Sequence, residues 1–197
     1  MKKFVMVLAV VLTSVAVLRA ETPRVWKADL SHSRVDFTVT HLVISEVTGR
    51  FTDFSVTLRQ GSDDFSGSDL EASIKTASIN TDSERRDNHL RSDDFLNAAK
   101  YPEMTFKSTA FEKTGEGTFR ITGDLTIRDV TKQVVLDATY KGGVKTPWGD
   151  ERAGFVATTI INRFDYGVKW ATTIDNGGLV AGKDVSITLR VELVKQH

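Results

Sequence analysis

Apolar and polar residues alternate along most of this chain. Val35, Phe37, Val39 and His41 alternate with Asp36, Thr38 and Thr40. Phe54, Val56 and Leu58 alternate with Ser55, Thr57 and Arg59, and Leu70, Ala72 and Ile74 with Glu71, Ser73 and Lys75. Phe119, Ile121, Leu125 and Ile127 share one face, with Gly123 between them, and Val134, Leu136, Ala138 and Tyr140 repeat the pattern. So do Val185, Ile187, Leu189, Val191 and Leu193. A period of two is the signature of strands with one dry face and one wet face. Turn signals separate the runs: Gly61-Ser62-Asp63, Gly115-Glu116-Gly117, Gly142-Gly143, Pro147-Trp148-Gly149-Asp150 and Asn176-Gly177-Gly178. About eight or nine strands result, several longer than the average strand. Long antiparallel strands with one apolar face remove their exposed edges by closing into a barrel, and a two-sheet sandwich is the alternative. The expectation is an all-β, antiparallel barrel of about eight strands.

One segment breaks the alternation. From Thr81 to Phe106 the chain reads TDSERRDNHLRSDDFLNAAKYPEMTF. Thr81 followed by Glu84 has the spacing of a capping box, which predicts a short helix near residues 82–92 with Thr81 as its N-cap. Asp87 and Arg91 are four apart and are expected to pair on one face. Leu90 is the lone large apolar residue between Thr81 and Arg91, too little for a core helix. The segment is therefore expected to lie across the barrel. Pro102 makes Tyr101 extended and restarts strand geometry before Met104-Thr105-Phe106.

The first twenty residues have a different character. Lys2 and Lys3 precede an uncharged run from Phe4 to Leu18, then Arg19-Ala20. This is the layout of a cleaved secretory leader, with the cut after Ala20 or Ala16, and the apolar run is short for a membrane span. The mature chain, residues 21–197, is expected to be one exported domain. Losing Lys2, Lys3 and Arg19 leaves it three more acids than bases. Without a basic stripe interleaved with aromatics it does not read as a nucleic-acid binder, and it has no strong pull toward anionic membranes. No cysteine occurs, which removes disulfides, thiolate metal sites and thiol catalysis together.

Candidate chemistry is sparse. None of His32, His41, His89 and His197 stands in a helix-borne zinc spacing, and no G-x-S-x-G occurs. No metal site is expected, and the acids Asp63, Asp64 and Asp69 read as a solvated turn rather than a calcium loop. His41 falls on the apolar phase of its strand, as a buried hydrogen-bonded residue or a ligand contact. His89 with Asp87 is the one pair from which a hydrolase or isomerase can be built; a helix-fastening network is the simpler account. A barrel of eight strands either fills with side chains or holds one ligand, and periodicity does not choose.

The run Asp87-x-His89-Leu90-Arg91-Ser92-x-x-Phe95 followed by Tyr101-Pro102-x-x-Thr105-Phe106 resembles the YceI-like family. So does Gly123-Asp124-Leu125-Thr126-Ile127-Arg128-Asp129-Val130-Thr131, with Asp129 where that family usually has Gly. Ile161-Asn162-Arg163-x-Asp165-Tyr166-Gly167 is similar too, with Tyr166 where Phe is common, as is Trp26-x-x-Asp29-x-x-His32-Ser33-x-Val35-x-Phe37. The resemblance implies a lipocalin-like barrel in the periplasm whose elongated apolar cavity binds a polyisoprenoid or quinone-type chain. It implies no catalysis and no cofactor other than the lipid ligand, and it is compatible with a homodimer and with no stable membrane insertion. Asp129 requires a turn that tolerates a side chain, and Asp is a residue that can take a left-handed turn position.

On that reading, alternation assigns Phe37, Val39, Phe54, Phe106, Phe119, Ile121, Leu125, Leu136, Phe155 and Ile161 to the cavity wall. Asp87, His89 and Arg91 fasten a lid in which Leu90, Phe95 and Leu96 close the barrel. His41, Asp87, His89, Arg91 and Arg163 are the candidates to meet a polar head group. A solid barrel without ligand is the remaining alternative.

Overall fold

The computed structural model describes residues 24–196; the expected leader at residues 1–20 lies outside them. Eleven strands form: β1 (Arg24–Ala28), β2 (Arg34–His41), β3 (Ser45–Phe51), β4 (Phe54–Gln60), β5 (Asp69–Lys75), β6 (Ile79–Asn80), β7 (Glu103–Gly115), β8 (Thr118–Ile127), β9 (Val130–Lys145), β10 (Glu151–Asn162) and β11 (Ala181–Lys195). Among the described residues one α-helix, α1 (Glu84–Arg91), interrupts them. The closed ring has eight antiparallel strands in the order β1-β4-β5-β7-β8-β9-β10-β11, sealed by pairing of β11 with β1.

Strand β11 closes the ring with only its last residues, Leu193 to Lys195, against Ala28 to Trp26. The rest of that edge, Ala181 to Arg190, pairs with β2, and β3 and β6 follow outward. The expected ring of eight is therefore present, with a β2–β3–β6 flap continuing the wall at one end. The flap exists because β11 is 15 residues long and β1 only five. The uncovered edge of β11 needs a second partner.

Alternation places the walls as expected. In β4, Phe54, Val56 and Leu58 are buried while Ser55 is exposed. In β8, Gly123 stands where a Cβ would lie 2.4 Å from the Phe106 ring, so the missing side chain lets that ring lie across the strand.

Aromatic residues fill one end of the barrel. Phe65, from the β4–β5 loop, packs edge-on against Phe155 at 5.2 Å and lies 5.7 Å from Trp26. Phe119 lies 5.2 Å from Phe111 and 6.3 Å from Phe155. The loop that delivers Phe65 is built by Asp64, whose carboxylate accepts from the Ser62 and Ser66 hydroxyls and from Lys113. Those partners hold the Asp64 carboxyl well below the usual range, Ser66 first. The acids around Gly61 are thus turn-building groups.

A polar cluster ties β10 and β11 to the β1–β2 turn. Arg152 donates to Asp29 at 2.8 Å and also pairs with Glu192 and Asp150. His32 lies 3.0 Å from Asp29. Asp29, His32 and Glu192 could gather around a cation, but the Arg152 guanidinium bonds both carboxylates directly. The hydrogen bond to His32, then that from Arg152, lowers the Asp29 carboxyl to about 2. A depressed carboxylate stabilises the fold above its unfolded value near 4 and loses that contribution as pH falls toward 2. Asp29→Asn is expected to cost about 1 kcal/mol at pH 7, and the difference from wild type should vanish once pH falls below about 2. Urea midpoints across that range check it, and a constant difference would contradict it.

Candidate functional site: an apolar cavity under a helical lid

Between the aromatic floor and α1 lies a cavity of about 720 Å³. Every strand of the ring except β1 contributes apolar side chains to its wall, and so do β2 and β3 of the flap. Phe37, Val39, Phe54, Phe106, Leu125, Leu136, Phe155 and Ile161 all line it. Two of the expected wall residues do not. Phe119 and Ile121, each 3% exposed, belong to the packed floor. Alternation gives the face a residue takes but not its height along the barrel axis, and these two sit below the cavity. Val185, Ile187, Leu189 and Val191 of β11 share the wall, as do Ala72 and Ala157, whose short side chains leave room.

The lid is fastened differently from the expected pattern. Helix α1 begins at Glu84 with Ser83 at the capping position and no side-chain cap, so the Thr81–Glu84 capping box does not form. Instead the buried Asp87 carboxylate reaches back and accepts from the Thr81 amide at 2.8 Å and from the Thr81 hydroxyl. Arg86 donates to the Thr81 carbonyl and hydroxyl, both at 2.7 Å. Arg91 does not pair with Asp87. Its guanidinium donates to the carbonyls of Ala77 and Ile79, each at 2.8 Å, and to Asn88 at 3.1 Å. Backbone acceptors from the neighbouring turn compete successfully with a helical ion pair, which is worth only a few tenths of a kcal/mol. Neither Asp87 nor Arg91 lines the cavity, so both are fasteners and neither is placed to meet a head group.

His89 faces the cavity and lies 2.8 Å from Asp94, not against Asp87. The pair from which an enzyme site was conceivable is thus not assembled. The imidazole stands edge-on to Phe95 at 5.0 Å and to Trp170 at 5.6 Å, and those two rings are 5.3 Å apart. Leu90, Phe95 and Leu96 line the cavity from the lid side. Trp170 completes the box and was not anticipated. Its only signal in sequence is a tryptophan shortly after Arg163-x-Asp165-Tyr166-Gly167.

Arg163 lines the cavity beneath Phe95 and is 6% exposed. Its guanidinium donates to the carbonyls of Gly182, Val168 and Ala181 at 2.8–2.9 Å and stacks on Phe164 at 4.4 Å. Burial pulls its pKa down. Its nitrogens are spent on the main chain, which makes it a staple between the 163–168 turn and β11. Arg128 does the same on the other side: it donates to the Phe95 and Gly167 carbonyls, each at 3.0 Å. Arg128, at φ 59, takes the left-handed position of the β8–β9 turn, a position Asp129 could also have taken. Asp129 instead accepts from the Tyr101 hydroxyl at 3.0 Å. Arg86, Arg91, Arg128 and Arg163 around the lid thus all donate to main-chain carbonyls. His41 lines the cavity and pairs across β2 and β11 with Ala181.

Tyr166 lies in the same wall, 2% exposed, and among the described residues its hydroxyl has no hydrogen-bond partner. Burial pushes its pKa to about 12. An unpartnered buried hydroxyl carries its desolvation cost without return. Tyr166→Phe is expected to raise stability by about 1 kcal/mol, a rise in Tm of a few degrees. Above pH 10 the gap should widen, because a raised phenol pKa means stability lost between the unfolded value near 10 and about 12. Thermal melts at pH 7 and pH 11 test both, and a lower Tm for the variant at pH 7 would reveal a partner for the hydroxyl.

An eight-stranded antiparallel barrel with an apolar cavity under a helical lid defines a lipocalin-like architecture. Comparison with known proteins makes the assignment specific. The YceI-like domain model matches residues 26–193, and the chain belongs to that family. A UPF0312 protein of Pseudomonas putida strain W619 is 42% identical over 165 residues, covering 84% of this chain and 82% of the relative. A solved YCEI protein of Campylobacter jejuni is 37% identical, with a TM-score of 0.69 over 80% of this chain and 90% of that one. Burkholderia cenocepacia BcnA shares the fold at 21% identity, with a TM-score of 0.73 over 84% and 98% of the two chains. A Saccharophagus degradans domain described as polyisoprenoid-binding shares it at 14% identity, with a TM-score of 0.64 over 87% and 98%.

Proposed function

We propose that this protein binds a polyisoprenoid or isoprenoid-quinone-type chain in its barrel and carries, stores or protects it without chemical change. The observation that carries the reading is the cavity, about 720 Å³ and walled almost wholly by hydrocarbon. That volume lies in the range of small-molecule sites, and a wall with so few polar atoms favours a hydrocarbon occupant. The solid-barrel alternative does not fit such a void. The family membership and the printed name of the Saccharophagus degradans domain support the same ligand class.

Burying one methylene contributes about 0.8 kcal/mol, so a five-carbon isoprene unit contributes roughly 3–4 kcal/mol before ordering costs. A hydrogen bond to a head group adds about 1 kcal/mol net. Tail length therefore dominates selection. The cationic lid residues are largely consumed by carbonyls, which supports the same ordering. The ligand is the only cofactor-like molecule in this reading. A periplasmic site of action follows from the leader read in residues 1–20, and a homodimer is compatible with it. No catalytic step is assigned, since His89 and Asp87 turn to different partners.

Organic extraction of the purified protein followed by mass spectrometry tests the proposal. Recovery of a stoichiometric isoprenoid supports it. If extraction yields nothing and long-chain quinone causes no rise in Tm, the proposal fails.

A further inference from the structure

The turn between β2 and β3 is built against local backbone preference. Leu42 and Val43 occupy consecutive left-handed positions, at φ 51 and 67. A β-branched residue there is a genuine outlier, and Gly or Asn is the usual choice. The turn is nonetheless well held. The Leu42 amide donates to the Val180 carbonyl at 2.9 Å, and the Ile44 amide to the His41 carbonyl at 3.2 Å. Val43 abuts Gly178, where an added Cβ would come within 2.6 Å of its methyl.

This fixed tip displays hydrocarbon to solvent. Ile44 is 86% exposed and Val43 59%. Leu42, Val43 and Ile44 carry no polar side-chain atom, so water gains nothing from them. The tip is also continuous with the cavity: Thr40 and His41 before it, Val47 after it, and Val180 beside it all line the cavity, and their closeness to the exposed tip makes this end its mouth. Strain retained at an exposed apolar turn next to a ligand entrance points to function rather than to folding.

We propose that Leu42-Val43-Ile44 is a docking wedge for a lipid bilayer, inserting at the headgroup–acyl boundary so that the cavity mouth meets the membrane. The inference rests on the proposed function above. An isoprenoid chain is confined by the hydrophobic effect to bilayers and protein cavities. Its transfer is fastest where the two apolar phases touch. The tip itself is uncharged and Glu46 follows it, so insertion, not attraction to anionic lipid, supplies the contact.

The test uses phosphatidylcholine vesicles loaded with a long-chain isoprenoid quinone and follows quinone transfer to the full-length mature protein. Ile44→Ser is expected to slow transfer by about tenfold or more, because one large aliphatic side chain no longer partitions. Its Tm and its affinity for detergent-dispersed quinone should stay unchanged, since Ile44 packs on little. Val43→Gly relieves the left-handed strain and is expected to melt at or above wild type while also transferring more slowly. Equal transfer rates in wild type and both variants overturn the wedge. So does an Ile44→Ser variant that changes only the oligomeric state, which would make the tip a contact between copies. A wild type that takes no quinone even from detergent defeats the cavity reading itself, and a wild type that loads from detergent but never binds vesicles defeats the wedge alone.

Discussion

Ala157→Phe is expected to lower affinity for a long-chain isoprenoid quinone by a hundredfold or more while leaving Tm unchanged or higher. Ala157 sits in β10, opposite Leu189 of β11 and Ala138 of β9, with its methyl on the cavity wall. A phenyl ring grown from that position enters the void instead of displacing packed neighbours. It excludes roughly one isoprene unit, which is worth about 3–4 kcal/mol, or two to three decades of affinity. Filling a void adds contacts, so the fold should not weaken. Isothermal titration with quinones of several tail lengths checks the result. The loss should shrink for short tails, which need less of the cavity. A uniform loss across tail lengths would place the binding determinant at the head group and sink the tail-dominated account.

Phe119→Ala is the second large effect, and it falls on stability. The ring packs between Phe111 and Phe155 and is 3% exposed. Truncating a buried phenylalanine costs about 3–5 kcal/mol, the lost burial plus the space left behind. Quinone affinity measured well below the melting transition should change by less than tenfold, because Phe119 supports the floor and does not line the cavity. Urea unfolding and ligand titration on the same sample separate the two roles. Loss of affinity with normal stability would return Phe119 to the wall.

These two residues show how far the chain can be read without its structure. Phe119 and Leu136 have the same sequence signature, an apolar residue in phase with its strand. One is floor and the other is wall, because strand phase fixes the face while barrel stagger fixes the height. The break in alternation between Thr81 and Phe106 located the lid, and helix α1 falls where that segment predicted a helix. Its bonding was not legible. Spacing offers Asp87 and Arg91 to each other, but the Ala77 and Ile79 carbonyls and the Thr81 amide outbid each partner once the flap folds beside α1. Nothing local in the sequence marks Trp170, a loop aromatic, as a partner of His89 and Phe95 in the lid.

The sequence by itself determined most of the strands, their inward faces and the family, and made a barrel of about eight strands the expected closure with a sandwich as the alternative. Each is a matter of periodicity, turn chemistry or ordered motifs, and each is local. The tertiary structure alone decided that the barrel is hollow, where its floor ends, which cations are spent on carbonyls, and that a strained apolar turn stands at its mouth. Those properties depend on stagger between strands and on competition among distant hydrogen-bonding groups, and neither has a signature in any single stretch of chain.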